Sequence, residues 1–293
     1  NLSGPRRIKM GAARDHLLGF NAVSGRGEAF KSGGRVVKNV TGYDLSKLMT
    51  GSFGTLAAVT ELTFKVLPAP EKTYTVLLLG LDDGAATRAM AAAMNSVHEV
   101  AGAAHLPAGI SGRSSVPYVA NAGGAITALR LEGFGPSVEQ RCRELKDELA
   151  GFGAIEELHS RNSVKFWAEV RDAVYLAEPA DRLIWRLSVP PSAGQGVVAA
   201  LAMGRDVEVF YDWSGGLIWL SLPPSDDAEH IAVRAAVAPS GGHATLVRAP
   251  ANIRAAVPVF QPQPAPLAAL SARVKDSFDP RRVLNPGRMV AGI

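Results

Sequence analysis

Cysteine is almost missing. Cys142 stands alone in 293 residues, which excludes an internal disulfide, a cysteine-ligated iron–sulfur cluster and a cysteine-rich zinc site, and makes a reducing compartment the default. Long apolar runs are missing too: stretches such as 76–81 and 215–222 fall far short of the roughly 20 residues that a spanning helix requires, so no membrane span is encoded. There is no Walker A sequence and no Gly-x-Ser-x-Gly elbow, and the six histidines (His16, His98, His105, His159, His230, His243) show no His-Glu-x-x-His spacing. Gly25-Arg26-Gly27 lacks a third glycine, because Phe30 occupies that place, which removes the Rossmann fingerprint. A charged leader followed by an apolar stretch and a cleavage site is also lacking, and Asn1 in place of a methionine makes the start read as a truncation.

What is present is core material: 47% hydrophobic residues against 20% charged, enough for one large domain or two ordinary ones. The 30 glycines and 19 prolines are dispersed without a repeat, which excludes collagen-like and low-complexity readings. Net charge is +4, yet the first 50 residues hold nine basic residues against three acids, a block of +6 that leaves −2 for the rest. Such a basic end suits an anionic cofactor, an acidic partner or nucleic acid. No helix-turn-helix, zinc-finger or RNP pattern surrounds it, which argues against nucleic acid.

Along the chain, residues 17–31 read as a hairpin, with a turn at Ser24-Gly25-Arg26-Gly27. Asp44 N-caps a short helix whose Leu45, Leu48 and Met49 share a face and which Gly51 ends. Residues 60–66 alternate, with Thr60, Leu62, Phe64 and Val66 on one face, which predicts a half-buried strand closed by Pro68 and Pro70. From residue 71 the texture changes to strands alternating with helices, which divides the chain into 1–70, 71–250 and 251–293. Strands are predicted at 74–79, 125–131, 151–158, 183–189, 207–211, 217–222 and 243–248. Helices are predicted at 83–100, 196–203 and 227–237, and after a Ser137–Gln140 capping box. Two strand-helix-strand units of this length suggest a ferredoxin-like sheet covered on one face by helices, with Cys142 a core thiol beside Val138, Leu145 and Leu149. Residues 257–266 are an extended linker by composition, 267–275 a helix, and 278–289 a turn-rich tail crossing back to the first domain.

One constellation is long and specific. Gly33, Gly34, Arg35 to Asp44 with Gly42-Tyr43-Asp44-Leu45, then Leu48, Gly51-Ser52-Phe53-Gly54-Thr55-Leu56, Glu61 to Lys65 and Pro68 resemble the second half of the FAD-binding domain of vanillyl-alcohol-oxidase-like flavoproteins. Among these, the resemblance is to the FAD-binding subunits of bacterial glycolate oxidases. Asn1 to Arg7, Gly11, Arg14-Asp15 and Leu18-Gly19 resemble the stretch after that family's pyrophosphate loop, and Phe278-Asp279-Pro280 with Leu284-Asn285-Pro286-Gly287-Arg288-Met289 resembles its closing motif.

The resemblance implies an α+β fold: the second half of a PCMH-type FAD-binding domain, a ferredoxin-like α+β domain, and a C-terminal segment returning to the FAD domain. It implies FAD, with Gly33, Gly34, Lys38, Asn39, Gly42, Tyr43, Gly51, Ser52, Gly54 and Asn285 as cofactor-binding residues and no metal. The glycines suit this physically, since they allow positive φ and close backbone approach to flavin oxygens or a pyrophosphate. His243 falls where catalytic relatives carry an acidic-His-Gly motif, although here no acid precedes it and no glycine follows, and the loop at Trp213-Ser214-Gly215-Gly216 holds no histidine. The first FAD subdomain of the family would lie upstream of Asn1. The implied setting is a complex with a second flavoprotein subunit and an iron–sulfur subunit, oxidising glycolate or another small 2-hydroxy acid in the cytoplasm or at the inner face of the membrane through its partners. Two rival readings stay open: a self-sufficient 2-hydroxy-acid dehydrogenase, and a non-catalytic assembly subunit with a vestigial flavin site.

Overall fold

The computed structural model describes residues 1–37 and 42–291, and the chain divides into two compact units. The first gathers Asn1–Ser3, Gly11–Pro68 and Phe260–Ile293, so it is built from both ends of the chain; the second comprises Gly4–Met10 and Ala69–Val259.

In the first unit, the apolar run at 17–24 forms β1 (Leu17–Ser24), with Phe20 and Ala22 turned inward. The Gly27 N–H donates to Ser24 O at 2.9 Å, with Gly27 at φ +82°, and this turn leads into β2 (Ala29–Gly33). β3 (Ala57–Phe64) pairs along the other side of β1, giving the antiparallel order β2-β1-β3. The Asp44 carboxylate accepts the Lys47 N–H at 3.1 Å and the Lys47 ammonium at 2.6 Å, which caps the Leu45–Met49 helix and holds Asp44 below the usual carboxylate range. A small core of Phe20, Ala22, Met49, Leu56 and Ala57 receives Phe30, Val274 and Phe278.

Two expectations change here. β3 is not half-buried: Leu62 and Phe64 are each 49% exposed and Val66 84%, because β3 is an edge strand and the unit's small core lies at its Ala57 end. The final helix runs Ala265–Phe278 rather than 267–275, with proline in its first turn, where the missing N–H costs nothing.

The second unit is an eight-stranded sheet in the order β11-β8-β10-β9-β5-β6-β4-β7. Its strands are β4 (Lys72–Leu79), β5 (Gly102–Leu106), β6 (Ile126–Gly133), β7 (Ile155–Leu158), β8 (Leu183–Ser188), β9 (Glu208–Asp212), β10 (Leu217–Leu222) and β11 (His243–Arg248). Each run of four has the connectivity β-α-β-β-α-β, and each half is ferredoxin-like. The halves join where β5 meets β9 at one residue pair, His105 opposite Tyr211. Asp83 braces that join: it accepts the Tyr211 hydroxyl and lies 3.3 Å from His105 Nε2.

Helices Asp83–Asn95 and Gly135–Leu149 bury Met90, Val138, Cys142 and Leu145 against the first half, and Gly194–Ala202 and His230–Val237 bury Val198, Leu201 and Val233 against the second. Helices are not confined to one face, however. Ser160–Asp172, a helix outside the predicted set, packs Phe166, Trp167 and Val170 with Leu77, Ile184 and Phe210 across both halves. The Ser137 capping box is also corrected: the helix begins at Gly135, and Ser137 inside it accepts Arg141 Nε at 3.2 Å. The predicted 83–100 helix stops at Asn95, where the Ser96 hydroxyl takes the Ala93 carbonyl.

Candidate functional site

The loops of the first unit open two cavities. The larger, about 340 Å³ and mostly apolar, is lined by Leu48, Gly51, Ser52, Thr55 and Leu56 on one side and by Leu270, Val274, Met289 and Val290 on the other. The smaller, about 170 Å³, is polar, with Arg14, Ser32, Gly33, Gly42, Tyr43, Lys47 and Lys65 among its lining residues.

Local conformation explains the larger cavity. After the Leu45–Met49 helix the backbone turns through Gly51, Phe53 and Gly54, all in the left-handed region at φ +93°, +53° and +72°. The closing turn comes to meet this loop, with the Asn285 amide donating to Phe53 O at 2.8 Å. A Cβ at Gly54 would stand 2.8 Å from that same Asn285 nitrogen. Gly51, Ser52, Gly54 and Asn285 are therefore gathered at one place.

Gly33, Gly42 and Tyr43 are gathered at the polar cavity. Gly33 is required by geometry, since at φ +71° an added Cβ would lie 2.1 Å from Leu18 O. Gly34 and Gly42 are different: among the described residues, nothing stands within 4 Å of where their Cβ would be. The Tyr43 ring is 91% exposed. Arg14, Lys47 and Lys65, opposed by Asp15 and Asp44, make a setting suited to a phosphate. Lys38 and Asn39 lie outside the described residues.

One buried ion pair beside the larger cavity has little trace in the sequence. Lys275, 3% exposed, lines the larger cavity and pairs with the wholly buried Asp279 at 2.6 Å. Its legible trace is only an i, i+4 Lys–Asp spacing. Burial pushes the Asp279 carboxyl up, but the Lys275 ammonium and the N–H groups of Leu284 and Val283 outweigh it, and the group sits below its ordinary value. A depressed folded value means that the unfolded chain binds the proton more readily. The resulting stability is present above about pH 4, the unfolded carboxyl value, and is lost as pH falls through the folded value. Melting followed from pH 7 to pH 3 should show this acid loss, and Asp279→Asn should flatten it.

His243 lies in the second unit, exposed at the start of β11. Partial desolvation and the Arg186 charge lower its imidazole below the usual value, so it is neutral at pH 7 and able to accept a proton. Nearby in the same unit, the guanidinium groups of Arg7 (4.4 Å) and Arg186 (4.9 Å) both lie over the Trp213 ring. Trp213 and Ser214 are left-handed at φ 51° and 58°, a strained turn. Asp212, fully enclosed and accepting the Trp213 N–H at 2.7 Å, is pushed by burial up to about 7. Among the described residues no cluster of His, Cys, Asp or Glu has the makings of a metal site, and no helix is long and apolar enough to cross a membrane.

The residues present fit a flavin dinucleotide as one wall. Glycines lining both cavities, an apolar slot and a basic polar cavity match ring and phosphate chemistry, while the two volumes lie at or below the lower end of ordinary ligand sites.

No protein-family model matches the chain. Among solved structures it is similar to alkyldihydroxyacetonephosphate synthase (TM-score 0.63, 18% identity, 97% of this chain and 56% of that one). It is also similar to p-cresol methylhydroxylase with substrate bound (TM-score 0.62, 12% identity, 94% of this chain and 65% of that one). The fold is that of the PCMH-type FAD-binding oxidases. Among curated proteins, the chain is 34% identical over 292 residues to the glycolate oxidase subunit GlcE of Escherichia coli (strain K12), spanning 99% of this chain and 69% of that protein, and it belongs to that family. A stretch of 79 residues, 27% of the chain, is 43% identical to the glycolate oxidase subunit GlcD of Bacillus subtilis (strain 168), of which it covers 17%.

Proposed function

We propose that the chain is an oxidoreductase subunit that supplies one wall of an FAD site in a glycolate, or related 2-hydroxy-acid, oxidase. Bound flavin would supply a two-electron acceptor. The chain's own part is to bind and orient it: Gly51, Ser52, Gly54 and Asn285 on the ring side, Gly33, Gly34, Gly42 and Tyr43 by backbone approach, and Arg14, Lys47 and Lys65 against phosphate charge; Lys38 and Asn39 are added from the sequence alone, as a cation and a donor for the flavin or an anionic substrate. The single cysteine gives no means of holding an iron–sulfur cluster, so the reading includes an iron–sulfur subunit beside a second flavoprotein subunit of the GlcD kind. It also includes a cytoplasmic place, or one at the inner face of the membrane through those partners. His243 is the group available as a base, and the histidine-free loop at 213–216 favours the partner as the main seat of the chemistry.

The observation that carries this reading is the meeting of the 51–56 loop with the closing turn through Asn285 and Phe53, beside an apolar cavity of about 340 Å³. The test is co-expression with a GlcD-type subunit, followed by purification and visible spectroscopy of each subunit. Flavin bands on this subunit and glycolate-dependent dye reduction by the complex, but not by the lone subunit, are the expected results. A colourless chain that still docks would support the assembly role instead, and glycolate turnover by the chain alone would support the self-sufficient enzyme.

A further inference from the structure

Lys275 makes three hydrogen bonds, and each goes to a different piece of the first unit. Its ammonium donates to Thr55 O at 2.7 Å, to Asp279 Oδ2 at 2.6 Å and to Leu284 O at 2.8 Å. Thr55 belongs to the loop on one side of the larger cavity, and Leu284 is the residue before Asn285 in the closing turn on the other. Asp279 completes the arrangement by accepting the N–H groups of Val283 (3.1 Å) and Leu284 (2.8 Å). Gly25 leaves room for it, since a Cβ there would lie 2.1 Å from Asp279 Oδ1.

We infer that Lys275 is a positioning residue: with Asp279 it ties the 51–56 loop to the closing turn and so sets the width of the slot that receives the flavin. This rests on the flavin reading above. The chemistry selects lysine. Three acceptors converge on one point, which suits a compact ammonium with three donors, whereas a planar guanidinium fork cannot address all three. An ammonium so saturated has no donor left for the ligand, so its effect passes through the two loops. Burial of an unpaired Asp279 would also be costly, which ties the lysine and the aspartate to each other.

The test uses the full chain titrated with FAD, read by quenching of flavin fluorescence, together with amide hydrogen exchange at residues 52–56 and 284–289. Lys275→Met is expected to weaken FAD binding at least tenfold and to raise exchange in both loops together. Lys275→Arg, which keeps the charge, should fail to restore either. Asp279→Asn, a milder variant, should move both readouts in the same direction by less. Phe278→Leu is the control: it loosens the Phe20, Phe30 and Phe278 packing without removing any hydrogen bond of the tie, and should lower the melting temperature while leaving FAD affinity within about twofold. Recovery in Lys275→Arg, or equal affinity loss in Phe278→Leu, would reduce Lys275 to general stability and overturn the inference. Should the unaltered chain, purified with a GlcD-type subunit, carry no FAD while exchange still rises in both loops of Lys275→Met, the tie stands and the flavin reading fails.

Discussion

Replacing Glu169 with alanine is expected to lower the stability of the second unit by about 4 kcal/mol, in the range that follows when a buried polar network loses its centre. Glu169 is 6% exposed on the Ser160–Asp172 helix, and every one of its contacts is a donor. Oε1 accepts the Ser115 N–H at 2.9 Å and the Ser115 hydroxyl, and Oε2 accepts the Ser114 hydroxyl at 2.7 Å and Tyr175 OH at 3.0 Å. Deleting it leaves the Ser114 hydroxyl and Tyr175 OH buried without an acceptor, while the donors of the exposed Ser115 turn to water. Glu169→Gln preserves the shape but turns an amide donor toward those donors, and should cost about 2 kcal/mol. Denaturant titration followed by tryptophan fluorescence reads the effect directly, because Trp167 is in the same helix. A change below about 1 kcal/mol for both variants would mean that the network is not a source of stability.

The second large effect is expected at Gly33. Gly33→Ala places a Cβ 2.1 Å from Leu18 O and 2.8 Å from Gly19 Cα, both backbone atoms that cannot swing away, at φ +71°. Left-handed strain alone accounts for about 1–2 kcal/mol, and the clash must separate β1 from the end of β2, so a total of about 3 kcal/mol or more in the first unit follows. Gly42→Ala has the same sign of φ, +77°, with no clash among the described residues, and should cost about 1–2 kcal/mol. The two variants separate conformational strain from steric need, and exchange rates along β1 distinguish them: protection is lost in Gly33→Ala and kept in Gly42→Ala.

Much of this architecture is legible before any coordinates, because the residues that make it act locally. Asp44 with Leu45, Leu48 and Met49 announces a capped helix, and the strands at 74–79, 183–189 and 217–222 are dense in β-branched, aromatic and leucine residues. β5 was missed for the opposite reason: Gly-Ala-Ala-His-Leu has little intrinsic preference for a strand, and pairing with β6 decides it. The Ser160–Asp172 helix hides its period among charged residues, although Ser163, Phe166, Trp167 and Val170 share a buried face. β3 misled in another way, since alternation predicts which residues share a face and not whether anything covers that face. At the site, the glycines were legible as a group while Lys275 was not. Two of its three acceptors are main-chain carbonyls, one of them 220 residues away, and a backbone oxygen leaves no mark in a sequence.

The two-ended construction of the first unit sets an order of events during synthesis. When residue 68 leaves the ribosome, β1, β2 and β3 can pair, but Thr55 still lacks Lys275, and Phe30 still lacks Phe278. The whole of Ala69–Val259 emerges and can fold before those partners are made. The 17–33 hairpin therefore waits, incomplete and with its apolar side unclosed, for residues 260–293, and a nascent chain that has passed residue 259 but not reached Phe278 carries a second unit able to fold and an unfinished first.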